Sequence, residues 1–235
     1  MTFDEVMNEL ESYANEGTKK IFLKHGAPDS MFGVKVQDLK KILKKTKKNH
    51  ELSLALYASG NSDAMYLAGL MADEKQITKT TLQAWAEEAP WYMISEYTVP
   101  WVTSETPFGF DLGIEWIKSD KENVAAAGWS TLASYASIKP DEEIDVAVYD
   151  KLLEQVGNEI HDAKNRVRYA MNGFVIAVGS YITALTDKAI VVGEKIGKVN
   201  VDMNGTACKV PLATTYIAKV VDKGRVGKKR KTSRC

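Results

Sequence analysis

Apolar residues recur at helical spacing along almost the whole chain. Phe3, Val6, Met7, Leu10 and Tyr13 share one face over residues 3–14. Val36, Leu39, Ile42 and Leu43 share one over 34–48, with lysine on most of the rest. The same pattern predicts helices over 50–59, 62–73, 78–89, 108–119, 121–138, 145–161, 165–182, 187–197 and 211–222, with Ser62 as the N-cap of the second. Pro140 followed by Asp141, Glu142 and Glu143 reads as a helix start, the acids favoured by the helix dipole. Residues 199–210 break the habit. Their Asn204-Gly205 pair between β-branched positions predicts a small hairpin or an ordered loop.

So many helices joined by short links do not fit around one central core. They pair at intervals of about 35–45 residues, the spacing of two-helix solenoid repeats. The expected architecture is all-α: a HEAT/armadillo-like α-α superhelix (solenoid) of about a dozen helices, binding through its concave face. Residues 1–222 read as one helical domain. Residues 223–235 carry two glycines and almost no apolar side chain, and read as a basic, mobile C-terminal tail. Within 121–138, Gly128 suits close helix approach. Trp129 beside it reads either as core or as a wall facing the groove.

Composition adds little: 45% apolar and 26% charged residues are ordinary for a soluble protein. No apolar run approaches the roughly 20 residues of a membrane span. The N-terminus has acids where a signal peptide is basic, so the expected location is cytoplasmic. Cys208 and Cys235 form no CxxC pair, and the three histidines show no metal spacing, so neither a metal nor another cofactor is expected. Charge changes the picture more. The net value is zero, yet residues 19–48 carry ten lysines against Asp29 and Asp38, and residues 219–235 carry eight Lys or Arg against Asp222. Clustered cations gain affinity by displacing counterions from phosphates, so the two basic ends predict a polyanion partner.

The candidate chemistry lies in "APWYMISEYTVPWV", residues 89–102, which gathers Trp91, Tyr92, Tyr97 and Trp101 around Glu96. With "MFGVKVQDLKKIL" at 31–43, this stretch resembles the DNA alkylation repair family, the AlkD-type alkylpurine glycosylases. Their characteristic features are an "FGV-V--LRK" segment near the N-terminus and a tryptophan-rich central helix ending in "VP". The resemblance covers about residues 3–195. Aligned on Val99-Pro100, the family's tryptophan pair falls on Trp91 and Tyr92, and its aspartate on Glu96. The family's arginine in the next repeat falls on Ala126 or Ala127. A further Trp-and-Arg helix corresponds to 169–179, with Phe174 as its aromatic and no arginine.

The resemblance implies HEAT-like repeats and double-stranded, alkylated DNA as partner. If the chain is an enzyme, it is a DNA glycosylase for cationic N3- or N7-alkylated purines. Glu96 would then stabilise the developing positive charge on the sugar, and Trp91 and Tyr92 would offer ring faces to the cation. Phosphate contacts are expected from Lys40, Lys41, Lys44 and Lys45 and from Lys228, Lys229 and Arg230. Trp129, Arg166 and Arg168 are further nucleic-acid candidates; the two arginines are the internal side chains available to replace the family's missing one. Two other readings stand beside this one. In one, the fold binds nucleic acid with catalysis lost. In the other, it is a protein-interaction scaffold, to which acids lining the concave face would point.

Overall fold

The computed structural model describes residues 1–234. It contains thirteen α-helices and, among the described residues, no strand. The N-terminal half is α1 (Phe3–Ser12), α2 (Glu16–Lys24), α3 (Val36–Thr46), α4 (His50–Ala58), α5 (Ser62–Met71), α6 (Lys79–Glu88) and α7 (Val99–Glu105). Then follow α8 (Gly109–Trp116), α9 (Glu122–Ile138), α10 (Val146–Glu159), α11 (Asn165–Tyr181), α12 (Thr186–Ile196) and α13 (Ala213–Asp222). Side-chain N-caps start six of them: Thr2, Asn15, Asn49, Asn61, Thr78 and Asp145. The cap of α5 is thus Asn61 and not Ser62. Asn61 Oδ1 accepts from the backbone of both Asp63 and Ala64, and Ser62 is already helical. Residues 141–143 form a single 3-10 turn, and α10 starts only after Asp145.

Helices pack mainly on near neighbours in the chain, α4 on α5, α8 on α9, and α11 on α9, α12 and α13. The core accordingly runs as two apolar clusters joined through α9. Val124 and Ala127 belong to the N-terminal cluster, and Ala125, Ala126, Trp129 and Leu132 to the C-terminal one. This is the serial core of a solenoid. Gly128 has the expected role: a Cβ there would lie 2.6 Å from the backbone N of Ile117, so only glycine lets α9 lie this close to α8. Trp129 is core. It is 1% exposed and packs edge-on against Phe174, so it offers nothing to a nucleic acid. Ala126 and Ala127 are also fully buried, so neither position faces a groove.

The "MFGV" segment that carries the sequence resemblance has a structural explanation. The backbone N–H groups of Phe32, Gly33 and Val34 all donate to the carboxylate of Asp63, at 2.7, 2.9 and 3.1 Å. Gly33 has φ +80°, and a Cβ there would meet the Lys19 backbone at 2.6 Å. The loop between α2 and α3 is therefore tied to the start of α5 by one buried side chain. Burial pushes the Asp63 carboxyl up, and the three donors oppose that shift. Asp63→Ala orphans all three donors and is expected to cost about 2–3 kcal/mol, read as a lowered midpoint in urea at unchanged slope.

Of the two alternatives for residues 199–210, the structure takes the ordered loop: there is no strand ladder, and Asn204 (φ 56°) and Gly205 (φ 68°) make the turn. One further expectation is corrected. The C-terminal segment does not hang free over its described part, to Arg234. Gly227 N donates to Ser180 O, and Arg230 N to Ser137 O. Lys229 Nζ donates to Ala136 O (3.0 Å) and Tyr181 O (2.7 Å), and Ser233 Oγ to Trp101 O (2.9 Å). Arg234 Nη1 reaches Ala72 O (2.7 Å) and Leu70 O (3.3 Å). Apart from Trp101 O, in the first turn of α7, these acceptors stand at the C-terminal ends of α9, α11 and α5, where unpaired carbonyls and the helix dipole favour cations. The low apolar content suggested mobility, but helix-end carbonyls hold this strap. Cys235, the last residue of the expected tail, lies outside the described residues.

Candidate nucleic-acid interface

The residues from Trp91 to α7 form an irregular turn. Ile94–Thr98 is a π-helical turn, in which Val99 N bonds Ile94 O and Thr98 Oγ1 bonds Met93 O. Its cause lies in Pro100. A proline has no N–H, and its ring collides with the carbonyl four residues back, here Glu96, so the helix absorbs the fault by widening one turn. Gly69 makes room for the bulge, since a Cβ there would sit 2.3 Å from Thr98 Cγ2. π turns of this kind are frequent at functional sites. This one rolls Glu96 inward, leaving its side chain 2% exposed.

The aromatics form a ladder along the turn. Phe22, Trp91, Tyr92, Tyr97, Trp101 and Tyr66 follow one another with ring centroids 5.6, 5.1, 6.4, 5.8 and 5.6 Å apart. Trp91 is 9% exposed, and its Nε1 is buried without a partner. Tyr92 is half-buried.

Arg166, in the first turn of α11, completes the site. Its Nε and Nη2 donate to Glu96 Oε1 and Oε2 at 2.6 and 2.7 Å, a bidentate pair. Its guanidinium carbon lies 4.5 Å from the ring centre of Tyr92 and 4.6 Å from that of Tyr169. Glu122 Oε1 accepts from its backbone N–H, and Nη1 points at Met203 Sδ. Burial pushes the Glu96 carboxyl up to about 7, and the guanidinium opposes this. On the arginine side the pair prevails over burial, and its pKa is raised.

The expected site residues thus divide. Glu96, Trp91, Tyr92 and Arg166 come together. Arg166 is committed to the carboxylate rather than to an open groove. Arg168 is half-buried, with Nε unpaired. Lys41 pairs with Asp38 (2.6 Å) and Lys45 with Glu9 (2.7 Å) on the surface, while Lys40 and Lys44 are exposed. Lys229 is spent inside the strap, and Lys228 and Arg230 are exposed. No group of three metal-ligating side chains occurs among the described residues.

Two clefts flank Glu96. One, of about 220 Å³, is lined by His25, Trp91, Tyr92, Glu122, Arg166 and Met203, among others. The other, of about 230 Å³, runs between α9 and α11 from Glu96 and Tyr97 to Arg230 of the strap. The Glu96–Arg166 pair was not legible from spacing, because the partners are 70 residues apart. The one available signal was that Arg166 and Arg168 are the only arginines before residue 225.

Known proteins agree with this fold. The model of the family described as DNA alkylation repair enzyme matches residues 6–208. An uncharacterised protein of Listeria monocytogenes is 36% identical over 225 residues, covering 93% of this chain and 97% of that one. One of Listeria innocua is 35% identical over the same shares. A solved structure, described as "a new family of proteins related to the HEAT-like repeat DNA glycosylases with affinity for branched DNA structures", superposes with a TM-score of 0.92. It is 37% identical, and the match covers 100% of both chains. The fold is therefore HEAT-like, and this chain belongs to the DNA alkylation repair enzyme family.

Proposed function

We propose that this protein binds DNA, preferentially at branched structures, and does not excise bases. The carrying observation is the Glu96–Arg166 pair. A glycosylase for cationic purines needs a carboxylate and ring faces that are free to meet a developing cation. Here a guanidinium already occupies that place, doubly bonded to the carboxylate and packed against Tyr92 and Tyr169. DNA as partner is supported by the family and by the affinity for branched DNA attributed to the solved relative. It is also supported by the exposed cations Lys40, Lys44, Lys228 and Arg230. The cleft between α9 and α11 has a single acid in its lining, Glu96, and that one is neutralised, which favours DNA over a basic protein.

Glycosylase action on alkylated duplex remains the second reading, because Glu96 does stand beside Trp91 and Tyr92 at the position the family uses. One pair of assays separates the two readings. A labelled four-way junction is expected to bind more tightly than a paired duplex of the same length, and more weakly as salt rises. Lys40→Ala with Lys44→Ala should make the slope of log affinity against log salt shallower by about two. In parallel, DNA bearing N7-methylguanine should release no base. Release that is lost in Glu96→Gln would overturn the proposal.

A further inference from the structure

Gly173, near the middle of α11, has no structural reason to be glycine. Glycine is the poorest helix former after proline. Most other helical glycines are accounted for by close neighbours: a Cβ would lie 2.3 Å from Thr98 at Gly69, 2.8 Å from Leu132 at Gly113, 2.6 Å from Ile117 at Gly128 and 2.6 Å from Ile217 at Gly179, while at Gly157 in α10 it would make ordinary contacts from 3.6 Å. Gly60, Gly205 and Gly224 face open space, but each has a positive φ that demands glycine. Gly173 has neither. Nothing lies within 4 Å of a Cβ built there, and its φ is ordinary. It exposes bare helix backbone in the cleft between α9 and α11.

That cleft is furnished for a nucleotide. Its walls carry the rings of Tyr97, Trp101 and Tyr181, and Ser130 and Ser134 present hydroxyls from α9. Arg230 stands at the strap end. Its guanidinium has five N–H donors, of which Nη2 bonds Ser233 O at 3.3 Å. Aromatic rings beside a cation are the usual means of holding unpaired nucleotides, since every base has a face that stacks. The one acid in the lining is already neutralised by Arg166.

We propose that this cleft holds one unpaired nucleotide of a DNA strand. Its base lies against the aromatic wall, its sugar–phosphate crosses the bare backbone at Gly173, and its phosphate meets Arg230 and the serine hydroxyls. The inference rests on the DNA-binding reading and gives a physical basis for a preference for branched DNA, where strands leave the duplex.

Binding of three fluorescein-labelled probes tests it: a fork with a single-stranded arm, oligothymidylate, and a fully paired duplex. Gly173→Leu fills the cleft without touching the core. It is expected to weaken fork and oligothymidylate binding at least tenfold, and to leave duplex binding within twofold of wild type. Gly173→Ala should raise Tm by about 1–4 °C, because helix propensity improves where nothing packs, and yet weaken fork binding. Tyr181→Ala should follow Gly173→Leu in the binding assays. Fork binding by Gly173→Leu equal to wild type would overturn the inference and leave DNA binding itself intact. Wild-type protein that binds none of the three probes would overturn both.

Discussion

Arg166→Ala is expected to destabilise the protein by about 3–5 kcal/mol, because it leaves the Glu96 carboxyl buried without its partner, to be either ionised and unpaired or held protonated. At this chain length that corresponds to a fall in Tm of roughly 6–20 °C. The loss should depend on pH. In wild type the folded carboxyl titrates at about 7, above its ordinary value, because of burial. Without the guanidinium opposing burial it rises further. The folded state then keeps a proton that the unfolded chain has already released, so stability falls as pH rises through this range. The deficit of Arg166→Ala against wild type is therefore smallest in mild acid and grows toward pH 8. A deficit that is flat across pH 5–8 would show that the carboxylate is solvated and the pair ornamental. Replacing both partners, Glu96→Gln with Arg166→Met, should recover most of the loss, since a buried pair exchanged for neutral groups of similar size is often no less stable.

The same pair shows how far the sequence can be read. Helices with a buried stripe were legible because burial imposes the 3.6-residue period. The second helix, α2, was not, because none of its residues is buried and Ile21 and Leu23 face solvent. Val99-Pro100 reads in sequence as the end of the central helix, but the fold widens one turn and runs on into α7, because Gly69 of α5 leaves room. Glu96, Trp91 and Tyr92 were found by their order along one segment. What they do depends on Arg166, which the fold brings from 70 residues away. The family arginine was expected near Ala126 and Ala127. The structure buries those positions and places another arginine on the carboxylate, from the opposite side of α9 in sequence. Asp63 was read as one residue of a helix, and its tie to Phe32, Gly33 and Val34 has no local signature beyond the glycine.

The C-terminal strap yields the other large expected effect. Arg234, 9% exposed, bonds two carbonyls at the end of α5 and lies 3.1 Å from Glu74 and 3.0 Å from Glu105. Its Nε sits close to Glu105 but out of line for a hydrogen bond, so that contact is an ion pair only. Glu105 in turn receives Thr232 Oγ1 and the backbone of Ser233. Removing the guanidinium leaves two helix-end carbonyls without their donor and Glu105 without a counter-charge, although Thr232 and Ser233 still donate to Glu105 and Lys48 still pairs with Glu74. Arg234→Ala is expected to cost about 3–5 kcal/mol, and Arg234→Lys less, because an ammonium keeps the charge but not the fork. A stability loss alone would not show that the strap has come away, and trypsin supplies that readout. Lys228, Lys229, Arg230 and Lys231 are consecutive cleavage sites, protected only while the backbone stays bonded to Ser137 and Ser180. Wild-type protein should resist cutting there under native conditions, and Arg234→Ala should lose the segment rapidly while the helical body survives. If trypsin removes the segment from wild type at the rate of a free peptide, the strap is not docked in solution. Arg230 would then have no fixed place at the end of the α9–α11 cleft, and the contact it offers to a phosphate would come from a mobile tail.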